Sequence, residues 1–236
     1  MPASPGAGPA PPLFGVQGIS RVLREPEEVG RHERAYDALL HRDDCPGMFW
    51  NLYLKGLDDP QSSIHMQVWA SQRHSEEFGV SPGFQAMRQE LSTAPGPRGL
   101  MVGPLSPGYW RPLYEQVLEA EPTGCELDGD ELGLALHGLT FVRPGSEHAY
   151  VDAEREVAAA FAASGGIYAM RCLQNLGHPG AFTWVRHARD PEALDAALAR
   201  AREAEERRAG LASEETVARY RVWLLSTWPE RRGAAS

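Results

Sequence analysis

The chain has 236 residues, 42% of them hydrophobic, and a formal net charge of −9 at pH 7. This length and composition suit a soluble globular protein of one large or two small domains. The acidic balance argues against a nucleic-acid-binding surface, which needs clustered positive charge, and no apolar run approaches the ~18 residues of a membrane-spanning helix.

Residues 1–12 are rich in proline, glycine and alanine, and predict a disordered N-terminal segment without the features of a secretory signal. Three cysteines, Cys45, Cys125 and Cys172, lie far apart and show no Cys-x-x-Cys spacing. Both features favour a cytoplasmic protein with reduced thiols.

Residues 13–121 predict a first unit of strand, helix, strand, strand, helix and strand. Its strands are VQGISRVL, MFWNLYLKG, SSIHMQVWA and PLYEQVLEA. A helix is predicted at 26–42, where proline opens the first turn and apolar residues recur at helical spacing, and a second begins in SPGFQAMRQEL. This order is that of a ferredoxin-like βαββαβ unit.

A loop at 92–111, rich in proline and glycine, separates this unit from the next. Long loops inside compact proteins are often functional, and Tyr109 and Trp110 would supply aromatic contacts to a substrate. A plain tether between the two units is the alternative reading.

Residues 130–229 repeat the first unit, with strands ELGLALHGLTFV, IYAMRCLQN, AFTWVRHA and YRVWLLSTW and a helix after Ser146. An offset of 119 residues carries Gly47 onto Gly166 and Pro60 onto Pro179, and a further slip of one residue sets VWAS over RHAR. We therefore predict an α+β fold of two ferredoxin-like βαββαβ repeats, packed sheet to sheet as an α+β barrel.

Alternation along the two central strands of the first repeat separates an apolar face from a mixed one. The apolar face predicts core and comprises Met48, Trp50, Leu52, Leu54, Ile64, Met66 and Val68. The mixed face predicts the wall of a pocket for a flat, oxygen-bearing molecule and comprises Phe49, Asn51, Tyr53, Lys55, Ser63, His65, Gln67 and Trp69. A solvent-facing surface is the alternative. The second repeat has a less polar set, Tyr168, Met170, Cys172, Thr183, Val185 and His187, which favours the first repeat as the site.

Motifs for other chemistries are missing from the sequence. The eight histidines show no metal-ligand spacing, so no metal site is predicted. No glycine-rich nucleotide loop and no Gly-x-Ser-x-Gly nucleophile motif occurs. Any catalysis would therefore depend on histidine, tyrosine, asparagine and tryptophan.

Four short motifs fall within residues 45–91: Pro-Gly before the second strand, Asp-Asp-Pro in the hairpin turn, Trp-x-Ser after the third strand, and Ser-Pro-x-Phe at the following helix. Together they resemble the antibiotic biosynthesis monooxygenase superfamily of dimeric α+β barrels. The resemblance implies that Trp69 and Asn51 line the cavity. Many members carry a histidine nine residues after this tryptophan, where Phe78 stands here, and His74 lies one helical turn earlier.

The resemblance implies an oxygenase that tailors an aromatic polyketide with dioxygen in antibiotic biosynthesis, by hydroxylation, quinone formation or C–C cleavage, without metal or haem. Two such units in one chain are similar to the angucycline ring-opening oxygenases of the jadomycin, kinamycin and gilvocarcin pathways. Those enzymes use reduced flavin (FADH2 or FMNH2) as a diffusible cosubstrate, which implies a separate flavin reductase as a partner. The chain would act as a monomeric pseudo-dimer or as a homodimer. A non-catalytic binding protein or a cofactor-free cyclase for the same polyketides is the alternative.

Within this framework we expect His65 or His74 to be the base, because histidine titrates near neutrality. Asn51 and Gln67 would donate hydrogen bonds to the developing oxyanion. The remaining expected substrate contacts are aromatic or imidazole rings: Trp50, Tyr53, Trp69, Phe78, Tyr109, Trp110 and His187.

Overall fold

The computed structural model describes residues 13–21, 38, 46–59, 62–86, 113–121 and 132–227. Its strands are β1 Phe14–Arg21, β2 Met48–Gly56, β3 Ser62–Trp69, β4 Leu113–Ala120, β5 Leu134–Val142, β6 Ile167–Asn175, β7 Ala181–Ala188 and β8 Ala212–Thr227. Its helices are α1 Gln72–Gly79, α2 Glu147–Ala162, α3 Pro191–Arg200 and α4 Arg202–Leu211. The predicted N-terminal segment and the loop at 92–111, with Tyr109 and Trp110, lie outside the described residues, as does the helix at 26–42 apart from residue 38.

Helices α1 and α3 begin in the same way in the two halves. The side chains of Ser71 and Asp190 accept the backbone N–H of the residue three positions later, which is the N-cap arrangement. Pro191 then occupies the first turn of α3, where its missing N–H costs nothing. Each helix therefore starts directly after the strand hairpin and covers the sheet from the same end.

The eight strands form a closed barrel in the order β1-β3-β2-β8-β5-β7-β6-β4. The first four strands follow the ferredoxin-like order β4-β1-β3-β2, and the last four follow β8-β5-β7-β6. The halves join because the long strand β8 pairs with both β5 and β2, while β4 pairs with both β1 and β6. The predicted fold class, two ferredoxin-like repeats forming an α+β barrel, is confirmed.

The strand register repeats between the halves without any slip. Met48 pairs with Trp69 in the first hairpin, and Ile167 pairs with Ala188 in the second, at the same offset of 119. The counterpart of Trp69 is therefore Ala188, and the predicted alignment of His187 with Trp69 is wrong. A slip of one residue would move every side chain of a strand to the opposite face. For the same reason Thr183 and Val185 do not correspond to the mixed face of the first repeat, whose counterparts are Phe182, Trp184 and Arg186.

Contacts across the barrel identify its interior. Gln17 on β1 and His137 on β5 belong to strands on opposite sides of the barrel, yet Gln17 Nε2 lies 2.9 Å from His137 Nε2. Met66 pairs with Gln17, so the apolar face of β2 and β3 fills the interior. The mixed face consequently points outward, where Trp69 packs against Phe78 of α1.

A β-bulge changes the predicted faces at the start of β2. The register shifts between Met48 and Trp50, so that Met48 lies beside Trp69 while Phe49 joins the interior cluster. Phe49 therefore does not belong to the mixed face. A bulge adds one residue to one strand only, which inverts the alternation that the sequence pattern assumes.

Two buried histidines inside the barrel make stability depend on pH. Burial lowers the pKa of His137 to about 3 and, together with the nearby charge of Arg171, that of His187 to about 4, against an ordinary 6.5. Below pH 6.5 the unfolded chain takes up protons that the folded chain does not, so stability decreases as the pH falls. We expect the free energy of unfolding, measured by urea denaturation, to decrease from pH 7 to pH 5. His137→Gln should reduce this slope and the exposed-site control His178→Gln should not; equal slopes in all three proteins would contradict the assignment.

Candidate functional site

Four polar and aromatic side chains form one connected group on the helix-facing side of β2 and β3. Asn51 is paired with Gln67, and Tyr53 with His65, on adjacent rungs of the sheet. His65 Nε2 donates to Asn51 Oδ1 at 2.7 Å, and Gln67 Nε2 donates to the same oxygen at 3.4 Å. The rings of Tyr53 and His65 stack with centroids 4.0 Å apart and 7° between their planes. We call these four residues, with Trp69, the polar row.

The amide oxygen of Asn51 faces both His65 and Gln67. Asn51 Nδ2 points away from these two side chains. In this arrangement His65 Nε2 carries the proton of the hydrogen bond, because an amide oxygen can only accept.

Two buried donors of the polar row have no protein acceptor in the described part of the chain. They are Asn51 Nδ2 and Trp69 Nε1, on residues that are both 0% exposed. Buried unpaired donors are uncommon in folded proteins, because each one loses its hydration without compensation. The two residues lie on one face of neighbouring strands, with Asn51 opposite Gln67 and Trp69 two residues further along β3, and each N–H can donate to an oxygen atom of a bound molecule.

Apolar side chains surround the indole of Trp69. Phe78 lies with its ring centroid 5.4 Å from that of Trp69, and Phe84 lies 5.0 Å from Phe78. Phe14 and Met48 belong to the same buried cluster. This end of the polar row therefore offers ring contacts and little competing water.

The second predicted base, His74, lies at the start of α1 and contacts the turn before β2. Its Nδ1 is 2.9 Å from Ser71 Oγ, and a Cβ atom placed on Gly47 would lie 2.6 Å from its ring. Gly47 has a φ angle of +81°, which a residue with a side chain would adopt only under strain. His65 is on the other side of Trp69, about 13 Å from it along β3. The two histidines therefore lie at opposite ends of the polar row, and only His65 contacts Asn51.

Two predicted substrate contacts lie inside the barrel instead. The indole of Trp50 is fully buried, donates to Gln116 Oε1 at 3.2 Å, and lies under the guanidinium of Arg171. His187 donates from Nε2 to the carbonyl of Leu132. Neither side chain is on the face of the polar row, which corrects both predictions.

The sequence pattern did not identify Trp223 as a neighbour of the polar row. Lys55 Nζ lies 3.5 Å from the centroid of the Trp223 ring, which also packs against the cluster around Trp69. Trp223 belongs to β8 of the second repeat, and it reaches this face only because β8 pairs with β2. Strand alternation within one repeat gives no sign of that contact.

In the second repeat, the surface equivalent to the polar row is filled. Met170, Trp184 and Arg186 replace Asn51, His65 and Gln67. Trp184 Nε1 donates to Thr140 Oγ1 at 3.1 Å, and its ring lies against the guanidinium groups of Arg186 and Arg208. Only glycine fits beside this indole at position 138, because a Cβ there would lie 2.1 Å from the ring.

An ion-pair network closes this filled surface. Arg186 pairs with Glu154 and Glu205, while Arg208 pairs with Glu154, Glu205 and Glu215. Burial opposes the charge of Arg208, but the hydrogen bond that Arg208 donates to Glu215 and the surrounding negative charges hold its pKa above the usual range. The polar groups of Trp184, Arg186 and Arg208 are thus satisfied by protein, unlike those of Asn51 and Trp69.

Neither a metal site nor a membrane helix emerges from the described residues. Among them, no group of three or more His, Cys, Asp or Glu side chains is arranged to hold a metal ion. Of the helices described, none is both long and apolar enough to cross a membrane.

Comparison with known proteins identifies the fold. No protein-family model and no curated protein sequence matches this chain. A proposed monooxygenase of Fusobacterium nucleatum is similar over 93% of this chain and 96% of its own, with a TM-score of 0.70 and 8% identity. A proposed monooxygenase of Lactobacillus acidophilus covers 92% of this chain and 96% of its own, with a TM-score of 0.66 and 11% identity. An anthrone oxidase-like protein is similar over 92% of this chain and 93% of its own, with a TM-score of 0.62 and 13% identity. These similarities span nearly the whole chain and confirm the resemblance at the level of the fold.

Proposed function

Because the chain has the fold of these monooxygenase-like proteins, we propose that it is a metal-independent oxygenase that tailors an aromatic polyketide. The substrate would be a polycyclic phenol or hydroquinone, and dioxygen the oxidant. The observation that carries this proposal is the pair of buried donors, Asn51 Nδ2 and Trp69 Nε1, beside an aromatic cluster. A phenolate or quinone oxygen is the acceptor that such a pair suits, and Tyr53 and Phe78 would contact the rings.

The proposed chemistry begins with loss of the phenol proton. Dioxygen is a triplet and reacts slowly with closed-shell molecules, whereas an electron-rich phenolate can give up one electron to it. The proposed base is His65 or His74, and Asn51 and Trp69 would stabilise the phenolate oxygen. Gln67, which we expected to contact the oxyanion itself, donates to Asn51 Oδ1 and would act by holding that amide in place.

Oxidation by this route balances without an added reductant. Conversion of a phenol to a quinone by one dioxygen places one oxygen atom in the new carbonyl and releases the other as water. Ring cleavage would instead require two further electrons, which reduced flavin from a separate reductase would supply as a diffusible cosubstrate. The described residues show no arrangement specific for an isoalloxazine ring.

Dioxygen uptake tests the proposal directly. We expect consumption of dioxygen and a new product with a dehydrorabelomycin-like angucyclinone, measured with and without a flavin reductase and NADH. Uptake without flavin would support the cofactor-free route, and uptake only with reduced flavin, beyond the flavin's own oxidation, would support the flavin-assisted route. Tight binding without uptake would contradict the proposal and favour the binding protein. Product formation under anaerobic conditions would contradict it and favour the cyclase.

The difference between the halves predicts one bound ligand per chain. Among the described residues of the first repeat two donors lack protein partners, whereas Trp184 and Arg186 fill the equivalent surface of the second. Isothermal titration calorimetry with the same angucyclinone should give a stoichiometry near one. Two equivalent ligands per chain would show that the second repeat also binds the substrate.

A further inference from the structure

The barrel interior contains three buried polar atoms without a protein partner in the described part of the chain: Gln17 Oε1, Arg171 Nη1 and His187 Nδ1. Their residues are at most 1% exposed. Gln17 reaches His137 across the barrel, and Arg171 on β6 reaches Trp50 on β2, on the opposite wall. These atoms are therefore separate from the polar row, which lies on the outer face of the sheet.

The hydrogen-bonding role of each atom follows from its neighbours. His187 must donate from Nε2 to the carbonyl of Leu132, which leaves Nδ1 as an acceptor. Arg171 uses Nε for Glu119 and Nη2 for Glu121, which leaves Nη1 as a donor. Turning the amide of Gln17 would exchange its two ends but would still leave one of them unpaired.

Arg171 and His187 are neighbours on the interior wall of the barrel, and the charge of Arg171 acts on His187. Arg171 is paired with Val185 and Ala169 with His187, so the two side chains project into the barrel from adjacent rungs of neighbouring strands. Diagonal neighbours of this kind are about 7–8 Å apart at their Cα atoms, within reach of long side chains. A donor and an acceptor at this spacing can be bridged by a molecule that both accepts and donates.

Charge decides the class of that molecule. Glu119 and Glu121 place two carboxylates on the single guanidinium of Arg171, so a further anion would be repelled. A cation would be repelled by Arg171 itself and would find only an imidazole lone pair and an amide. A neutral molecule that donates and accepts hydrogen bonds satisfies all three atoms.

We propose that the barrel interior binds ordered water at two places, between Arg171 and His187 and beside the amide of Gln17. Buried water commonly satisfies polar groups that protein atoms leave unpaired, and it costs little to order compared with leaving them unpaired. The proposal does not depend on the proposed oxygenase activity, because these residues do not touch the polar row. A small alcohol has the same hydrogen-bonding chemistry and is distinguished by its size.

A crystal structure at atomic resolution tests the occupant. We expect density for a single oxygen atom within hydrogen-bonding distance of both Arg171 Nη1 and His187 Nδ1, and another beside Gln17. Density for a larger molecule would overturn water as the occupant. Empty sites, or pairing of these atoms with protein groups, would overturn the proposal altogether.

Oxygen-17 relaxation dispersion of water tests the same sites in solution, because it counts water molecules that stay inside the protein. His187→Phe removes the acceptor and should reduce the count of long-lived waters by roughly one. The exposed-site control Arg155→Met should leave the count unchanged. If His187→Phe does not fold, Gln17→Leu tests the second place in the same way. An unchanged count in a folded interior variant would overturn the proposal.

Discussion

Trp69→Phe should reduce substrate turnover by about 100-fold, the effect of removing one preorganised donor from an active site. The substitution keeps an aromatic ring against Phe78 and removes the indole N–H. That N–H has no protein acceptor in the described residues, so folding loses no hydrogen bond with it. We therefore expect the free energy of unfolding to change by no more than about 1 kcal/mol, from altered packing alone. Steady-state kinetics and urea denaturation of the same protein provide the two measurements.

The matched control is Trp184→Phe, at the position equivalent to His65 in the second repeat. The indole N–H of Trp184 is satisfied by Thr140, so its loss should lower the free energy of unfolding by about 1–3 kcal/mol. Turnover by the folded protein should stay near the wild-type value. A Trp69→Phe variant with full turnover would remove Trp69 from the site, and equal kinetic effects of the two substitutions would point to a general loss of structure.

Arg208→Met should lower the free energy of unfolding by about 3–5 kcal/mol, the usual cost of removing one partner from a buried ion pair. The Arg208 side chain is 4% exposed and contacts three carboxylates, those of Glu154, Glu205 and Glu215. After the substitution Glu154 and Glu205 would keep Arg186, and Glu215 would keep only neutral donors such as Thr140 among the described residues. Thermal or urea denaturation measures the change.

The neighbouring residue in α4 provides the control. Arg207 pairs with Glu156 at the surface, where the two side chains are 57% and 55% exposed. Exposed pairs contribute about 0–1 kcal/mol, so Arg207→Met should be nearly neutral. Similar destabilisation by both substitutions would contradict a specific role for the buried network. Arg208→Met should leave turnover of the folded protein unchanged, because the network lies in the other repeat from the polar row.

The fold could be predicted because strand signals and the duplication agree. The bounds of β2 and β6 match the predicted segments, and the offset between the two halves was readable from glycine and proline positions. Strand β8 begins eight residues before the predicted YRVWLLSTW, because its first part pairs with β5 and only its end pairs with β2. Such pairing between repeats leaves no pattern within one strand.

The sequence predicted which residues share the face of the candidate site, but not all of their positions and contacts. Alternation grouped Asn51, His65 and Trp69 correctly, since all three lie on the helix-facing side of the sheet. Alternation could not exclude His187 from the site. The face of His187 depends on how the second hairpin aligns with the first, and the predicted alignment was wrong by one residue. The bulge at the start of β2 likewise escapes a pattern of period two. The unpaired donors become visible only when tertiary contacts are known.

A crystal structure of the protein with a polycyclic phenol that supports dioxygen uptake would locate the substrate directly. We expect a phenol or quinone oxygen within hydrogen-bonding distance of Asn51 Nδ2 and Trp69 Nε1, with the rings against Phe78 or Tyr53. The second repeat has an open groove of about 360 Å³ bordered by Leu198, Arg202 and Val217. A ligand found in that groove, or inside the barrel, with the polar row left empty would show that the polar row is not the substrate site.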